Sequence, residues 1–233
     1  MPARDLESQS TQDDIVYGHI FDAILEQRLA PGTKLNEESL AEIFSVSRTI
    51  IRRALSRLNY EQVVVQRPNR GSTVANPSTE QARQIVLARR VIEKAVIELV
   101  VEKATAKQIE QLRNLVSRER QSFDRGDRGT GIRLSGEFHL LLAKIAGNPP
   151  LLSFQRSLVS QGSLIIAQYE SRARAHCSYD EHFALIDAIA AGELERAVEL
   201  MMHHLDHIED KLSLEEESET KDLKTIFSHV TKK

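Results

Sequence analysis

Three histidines and a run of arginines are the residues of this chain best suited to chemistry. His139 lies with Leu142 and Ala146 at i+3 and i+7, and His182 shares a stripe with Leu185, Ile186 and Ile189. His204 lines up with Ala197, Met201 and Ile208. Each histidine therefore sits on or beside the apolar face of a separate helix. A single histidine so placed is most often a hydrogen-bonded core residue. Three directed into one bundle interior would suit a divalent metal such as Zn, Ni or Fe, because neutral imidazole ligates all three and helix bundles build such sites inside. Helical spacing assigns each residue a face; it does not show that the faces meet. Arg89, on the stripe Ile85, Arg89, Ile92, Val96, can also reach an interior. A buried guanidinium needs an anion, and either a small organic acid or an i,i+4 ion pair with Glu93 would serve. His203, His207, His176 and Cys177 read as surface or packing residues.

The arginines lie earlier in the chain. Between Ser45 and Ala75, Arg48, Arg52, Arg53, Arg57, Arg67 and Arg70 face a single acid, Glu61, although the whole chain has a net charge of −3. Arginine bonds bidentately to guanine or phosphate, and a local basic face supplies the electrostatic part of DNA affinity. A solvated helix face would have the same composition.

The elements that must position these residues follow from periodicity and punctuation. An apolar stripe at Ile15, Ile20, Ile24 and Leu25 predicts a helix over 12–28, stopped by Ala30-Pro31-Gly32. Asn36 caps a short helix to Phe44, within which Leu40 to Phe44 should pack; Ser47 caps a third helix to about Asn59. In that third helix Ile51, Ala54, Leu55 and Leu58 fall at i, i+3, i+4 and i+7 and must face the core. Arg48, Thr49, Arg52, Arg53 and Ser56 are left outward. Two β-rich stretches, 62–66 and 72–75, flank the turn Pro68-Asn69-Arg70-Gly71 and predict a hairpin wing. Arg67, Arg70 and Gly71 lie at its tip. From 78 to 212 the pattern is helical throughout, in segments of about 79–103, 106–124, 130–146, 150–172, 178–191 and 193–212. The last has the stripe Leu194, Val198, Met201, Leu205, Ile208, Leu212.

The expected architecture is thus mostly α, with a winged helix-turn-helix at 12–76 made of three helices and a β-hairpin. A linker at 77–79 leads to an all-α bundle at 80–212. Residues 1–11 and 213–233 are a polar N-terminus and a C-terminal tail. Tryptophan is absent and aromatics make up 5% of the chain, so the core rests on aliphatic side chains, which suits packed helices. One cysteine excludes an intramolecular disulfide. No apolar run approaches a membrane span and the start lacks a secretory layout, so the chain is expected to be cytoplasmic.

The run Leu29-Ala30-Pro31-Gly32-Thr33-Lys34-Leu35-Asn36-Glu37, then Leu40-Ala41-Glu42, Val46-Ser47-Arg48-Thr49, Arg52, Ala54-Leu55 and Asn69-Arg70-Gly71 resembles the GntR family winged helix. The resemblance implies operator binding, with Arg48 and Arg52 as the best DNA contacts and Gly71 in the wing. The chain departs from the family habit at Ile50 (commonly Pro), Arg53 (Glu), Gln62 (Gly) and Glu38 (basic in some members). Its second half resembles the FadR subfamily's effector domain of the FCD class. The features that carry this are Arg89 with Ile92-Glu93, Glu137-Phe138-His139, Gly147-Asn148-Pro149, Glu181-His182, Gly192-Glu193 and Met202-His203-His204-Leu205.

In that resemblance His139, His182 and His204 match the family's three metal histidines. The usual carboxylate position, one turn before the first histidine, is held by Ser135. Glu137 lies about 200° round the helix from His139 and should point elsewhere. Three histidines still hold a metal when water or an effector carboxylate completes the shell. The implied function is a homodimeric regulator, a repressor by family habit, that binds double-stranded operator DNA. It would be controlled by a small carboxylate meeting Arg89, the Ser135 position and a divalent metal. Two other readings of the helical half stay open, a three-histidine metalloenzyme and a ligand-free dimerisation scaffold.

Overall fold

The computed structural model describes residues 11–216 except 27, 69 and 170–177. The expectations placed on residues 1–10, Asn69, His176, Cys177 and the tail beyond 216 lie outside the described residues. The chain divides into two units, Met1–Asn76 and Pro77–Lys233.

In the first unit, α1 (Gln12–Leu25) is opened by a capping box between Thr11 and Asp14. Its buried stripe is Val16, Ile20, Ala23, Ile24 and Leu25. Ile15 is half exposed, contrary to expectation, because it precedes Ile20 by five residues, about 140° off that face at 100° per residue. A two-residue strand, β1 (Lys34–Leu35), precedes α2 (Glu37–Phe44), which Asn36 caps by accepting from the N–H groups of Glu38 and Ser39. Leu40, Ala41 and Phe44 are half-buried, but Ile43 is 72% exposed, so the expected packing of the whole Leu40–Phe44 run does not hold. Ser45 turns the chain through the left-handed region (φ 52°) into α3 (Arg48–Tyr60), capped by Ser47.

Ile51, Ala54, Leu55 and Leu58 of α3 are all essentially fully buried. Each such aliphatic side chain larger than alanine contributes about 1.5–3 kcal/mol by leaving water. The wing is β2 (Val64–Arg67) and β3 (Gly71–Val74), paired antiparallel with Arg67 opposite Gly71. β1 adds to the other side of β3, giving a sheet of order β1-β3-β2. The third strand was not anticipated, since two residues are too short to show an alternating pattern.

Gln62, just before the wing, adopts φ 62° and its side chain is exposed. This is the position where the family habitually has glycine, and a Cβ in left-handed backbone costs roughly 1–2 kcal/mol. Part of any gain from glycine is offset by its freer unfolded chain. Gln62→Gly is therefore expected to stabilise the first unit by about 0.5–1 kcal/mol. A urea unfolding midpoint that rises in Gln62→Gly and falls in Gln62→Val checks this.

The second unit is helical: α4 (Thr79–Lys103), α5 (Ala106–Asp124), α6 (Arg128–Ile145), α7 (Pro149–Tyr169), α8 (Ser178–Ala191) and α9 (Leu194–Glu216). Ser78/Gln81 and Thr105/Gln108 form capping boxes at the starts of α4 and α5. α4 packs chiefly on α9 and α7, α5 on α6 and α8, and α6 on α7. Helices α5 and α6 approach closely at Gly131, where an added Cβ would meet the Phe123 ring at 2.7 Å. Helix α9 runs past the expected end at 212 to Glu216, and Leu194 at its start is 40% exposed rather than part of the core stripe. No described helix is long and apolar enough to cross a membrane.

Candidate functional site

Two sets of side chains stand apart from the packing just described. The first is the outward face of α3 with the wing. Arg48, Thr49, Arg52 and Arg53 are exposed on α3, and Arg67, Arg70 and Gly71 are exposed on the wing. Gly71 has φ 75°, which a side chain would strain. The Gln66 N–H donates to Asn59 Oδ1 and so ties the wing to the end of α3. Arg52 donates through Nε to Glu37 of α2 at 2.7 Å, and Arg48 lies 3.7 Å from the same carboxylate. Glu37 thus holds the two guanidiniums side by side. Arg57 differs from the rest of the basic run. It bonds Asp14 at 2.8 Å and lies 3.8 Å over the Tyr17 ring, joining α3 to α1.

The second set is inside the helical unit. His139 from α6, His182 from α8 and His204 from α9 are all buried, and one ligand nitrogen from each lies within 4.8 Å of the others. Their ring centroids are 4.7–5.3 Å apart. Each Nδ1 is engaged by a carboxylate from another helix. His139 pairs with Glu93 of α4, His182 with Glu119 of α5 at 2.9 Å, and His204 with Glu181 of α8 at 2.7 Å. A carboxylate fixes the neutral tautomer with its proton on Nδ1 and the lone pair on Nε2. Nε2 of His182 is buried without a hydrogen-bond partner among the described residues. A buried polar atom left unsatisfied costs about 1–3 kcal/mol. Three imidazoles with ring nitrogens brought within 4.8 Å of one another, each backed by a carboxylate, fit the donor set of a divalent metal.

The electrostatics favour neutral rings at His139 and His204. Burial pushes the His139 imidazole down to about 3, with Glu93 opposing and the charges of Arg89 and His204 adding to the fall. Burial also lowers His204, aided by His182 and Arg89 and opposed by Glu181. Burial acts to raise the Glu93 carboxyl, but the charges and hydrogen bonds of Arg89 and His139 outweigh it and hold it far below its usual range. Glu181 is likewise held below its ordinary value, with the bonds and charges of His204 and His207 exceeding the effect of burial.

An unfolded chain protonates its histidines near 6.5, whereas the folded metal-free protein leaves His139 and His204 neutral at that pH. Both folded values are depressed, so their stabilising contribution is whole above 6.5 and is lost as pH falls below it, for His139 toward about 3. Chelator-treated protein is expected to show a urea midpoint that drops between pH 7.5 and 5.5, with a shallower drop in His139→Gln.

Arg89 is buried, and its Nε donates to Glu93 at 2.7 Å. The i,i+4 pair exists, but inside the protein, and it continues through Glu93 to His139. An added Cβ on Gly162 of α7 would lie 2.7 Å from Arg89 Nη1, so that glycine makes room for the guanidinium. Ser135 is buried one turn before His139. Glu137 points away from His139, pairing with Arg133 and staying 43% exposed. Sequence reading missed Glu119, Glu181 and Gly162 as parts of this site, and it placed Glu93 only as a partner of Arg89. A signal existed for two of them. Glu93 lies on the buried stripe of Val86, Val96 and Ile97, and Glu119 on that of Leu112, Leu115, Val116 and Phe123. An acid within an apolar stripe asks for a buried partner.

A winged helix-turn-helix with an exposed arginine face, followed by a helical unit enclosing a histidine trio, has the layout of a DNA-binding regulator with a helical accessory domain. Comparison with known proteins gives the same class. The family model described as bacterial regulatory proteins, gntR family, matches residues 12–74, and the FCD domain model matches 84–207. The chain belongs to the GntR family of transcription regulators, in the group that carries an FCD domain. It is 28% identical over 207 residues to the HTH-type transcriptional regulator LutR of Bacillus subtilis, covering 79% of this chain and 94% of that protein. It is 26% identical over 218 residues to the HTH-type transcriptional repressor NanR of Cronobacter sakazakii, covering 84% and 83%. Its fold is similar to that of McbR/YncC of E. coli, with a TM-score of 0.76 at 21% identity, over 89% of this chain and all of that one.

Proposed function

We propose that this chain is a homodimeric repressor that reads operator DNA with α3 and the wing, and that a small carboxylate bound in the helical unit controls it. Arg48, Thr49, Arg52 and Arg53 meet the major groove, while Arg67, Arg70 and Gly71 follow the backbone or minor groove. The observation that carries the sensing half is the histidine trio, with every Nδ1 committed to a carboxylate and Nε2 of His182 left without a partner. His139, His182 and His204 would hold Zn, Ni or Fe, and such an ion would offer its remaining positions to an effector carboxylate. Arg89, oriented by Glu93, supplies a positive charge beside that place, and Ser135 supplies a hydroxyl where the family habitually has an acid. For control to follow, the effector must bind one arrangement of the regulator more tightly than the other.

Elemental analysis of tag-free protein tests this, beside the His139→Ala/His182→Ala variant. About one ion per chain that survives dialysis, lost in the variant, is expected, together with small carboxylates that raise the melting temperature of the loaded protein and change its affinity for DNA. An ion content that the variant leaves unchanged, or no carboxylate response in the loaded protein, would overturn the sensing half. Those results would leave the helical unit as a dimerisation scaffold.

A further inference from the structure

A second group of metal-ligating side chains lies outside the trio, at the surface of the same unit. His203 and His207 are one turn apart on α9, with ring centroids 4.2 Å apart. Glu181, in the first turn of α8, reaches them, and its Oε1 hydrogen-bonds Nδ1 of His207. One ligand atom from each of the three lies within 4.8 Å of the others. His203 is exposed, His207 is 38% exposed and Glu181 17%, so the cluster opens to solvent. Histidines at i and i+4 project from one side of a helix at a separation set by its pitch, so both can take neighbouring positions on one ion without moving the backbone. The carboxylate adds charge and a third donor from a different helix, which fixes the pair against a second element. Two imidazoles and one carboxylate suit Zn, Ni or Cu better than Mg or Ca, which prefer all-oxygen shells. A solvated histidine pair would need no carboxylate aimed at it.

From this geometry we infer that Glu181, His203 and His207 form a second, solvent-facing divalent-metal site of the zinc, nickel or copper class. An ion there takes the place of the proton between His207 Nδ1 and Glu181, which passes to Nε2 of the same ring or to solvent, and water fills the ion's open positions. The site shares a residue with the inner trio, because the other oxygen of Glu181 accepts from Nδ1 of His204 at 2.7 Å. An ion on Oε1 draws charge from the carboxylate that backs His204. Occupancy of the outer site therefore weakens binding at the inner one, and the effect is reciprocal.

The test is calorimetric titration of chelator-treated, tag-free full chain with zinc chloride, beside His203→Gln/His207→Gln and His139→Ala/His182→Ala. Wild type is expected to take two ions per chain, the second more weakly. The His203→Gln/His207→Gln protein should lose the weaker ion, with second-site affinity down at least tenfold, and keep the tighter one. The inner variant should keep the weaker ion. Both outer substitutions fall on exposed or half-exposed side chains, so the fold is retained, which circular dichroism checks. A His203→Gln/His207→Gln isotherm that matches wild type overturns the inference. An inner variant that binds no zinc overturns it equally. A wild type that binds a single ion, lost in His203→Gln/His207→Gln and kept in His139→Ala/His182→Ala, would count against the proposed sensing site and leave the outer one standing.

Discussion

Arg52→Ala, and separately Arg48→Ala, are expected to weaken binding to a selected operator duplex by about 10- to 100-fold, while the unfolding midpoint barely moves. The size follows from the contact type, since one bidentate arginine–base pair carries roughly 1–3 kcal/mol. Small structural damage follows from position. Both side chains are more than half exposed, and their ion pairs with Glu37 are surface pairs worth at most about 1 kcal/mol. Alanine also keeps the helix propensity of α3. Salt dependence separates the two kinds of contact. A phosphate-binding arginine, when removed, weakens all sequences alike and makes the salt slope shallower by about 1. A base-reading arginine relaxes preference at one position. Fluorescence anisotropy on duplexes enriched from a random pool measures both. Wild-type affinity in both variants at matched salt would remove α3 from the reading role.

The second large effect belongs to the histidine trio. His182→Ala is expected to abolish metal retention through dialysis, and Glu119→Gln to weaken it by about 10- to 100-fold, the usual consequence of removing the carboxylate behind a ligating histidine. His182 and Glu119 are both fully buried, so the two substitutions differ in kind. The first removes a ligand and leaves a void beside Phe138, whose ring stacks on His182 at 4.2 Å. The second keeps the ligand and an acceptor for its Nδ1 proton, and changes only the charge behind it. Competition with a zinc indicator measures the difference. Equal affinity in Glu119→Gln and wild type would mean that the carboxylate only fills a space.

Local periodicity made part of this legible. The core face of α3 was readable because its four buried apolar residues repeat within two turns, and the outward arginines followed as their complement. Each histidine's burial was readable for the same reason. The convergence of the three was not, since nothing in one helix's spacing says which neighbour it packs against; a family resemblance supplied that expectation. The carboxylates behind the histidines were further from reach, because they lie 46, 63 and 23 residues from their partners in the chain. Ile15 and Ile43 depart from expectation because hydrophobic type does not entail burial, and single exposed aliphatic residues are ordinary on a protein surface. Strand β1 was hidden because its place is set by β3, some forty residues later.

The three histidines and their carboxylates are drawn from α4, α5, α6, α8 and α9, so five of the six described helices of this unit contribute to one small volume. Grafting therefore has no short peptide to work with. A designer wishing to transplant the centre would have to move the bundle whole, and a proteolytic fragment lacking any one of those helices would forfeit a ligand or the group that aims it.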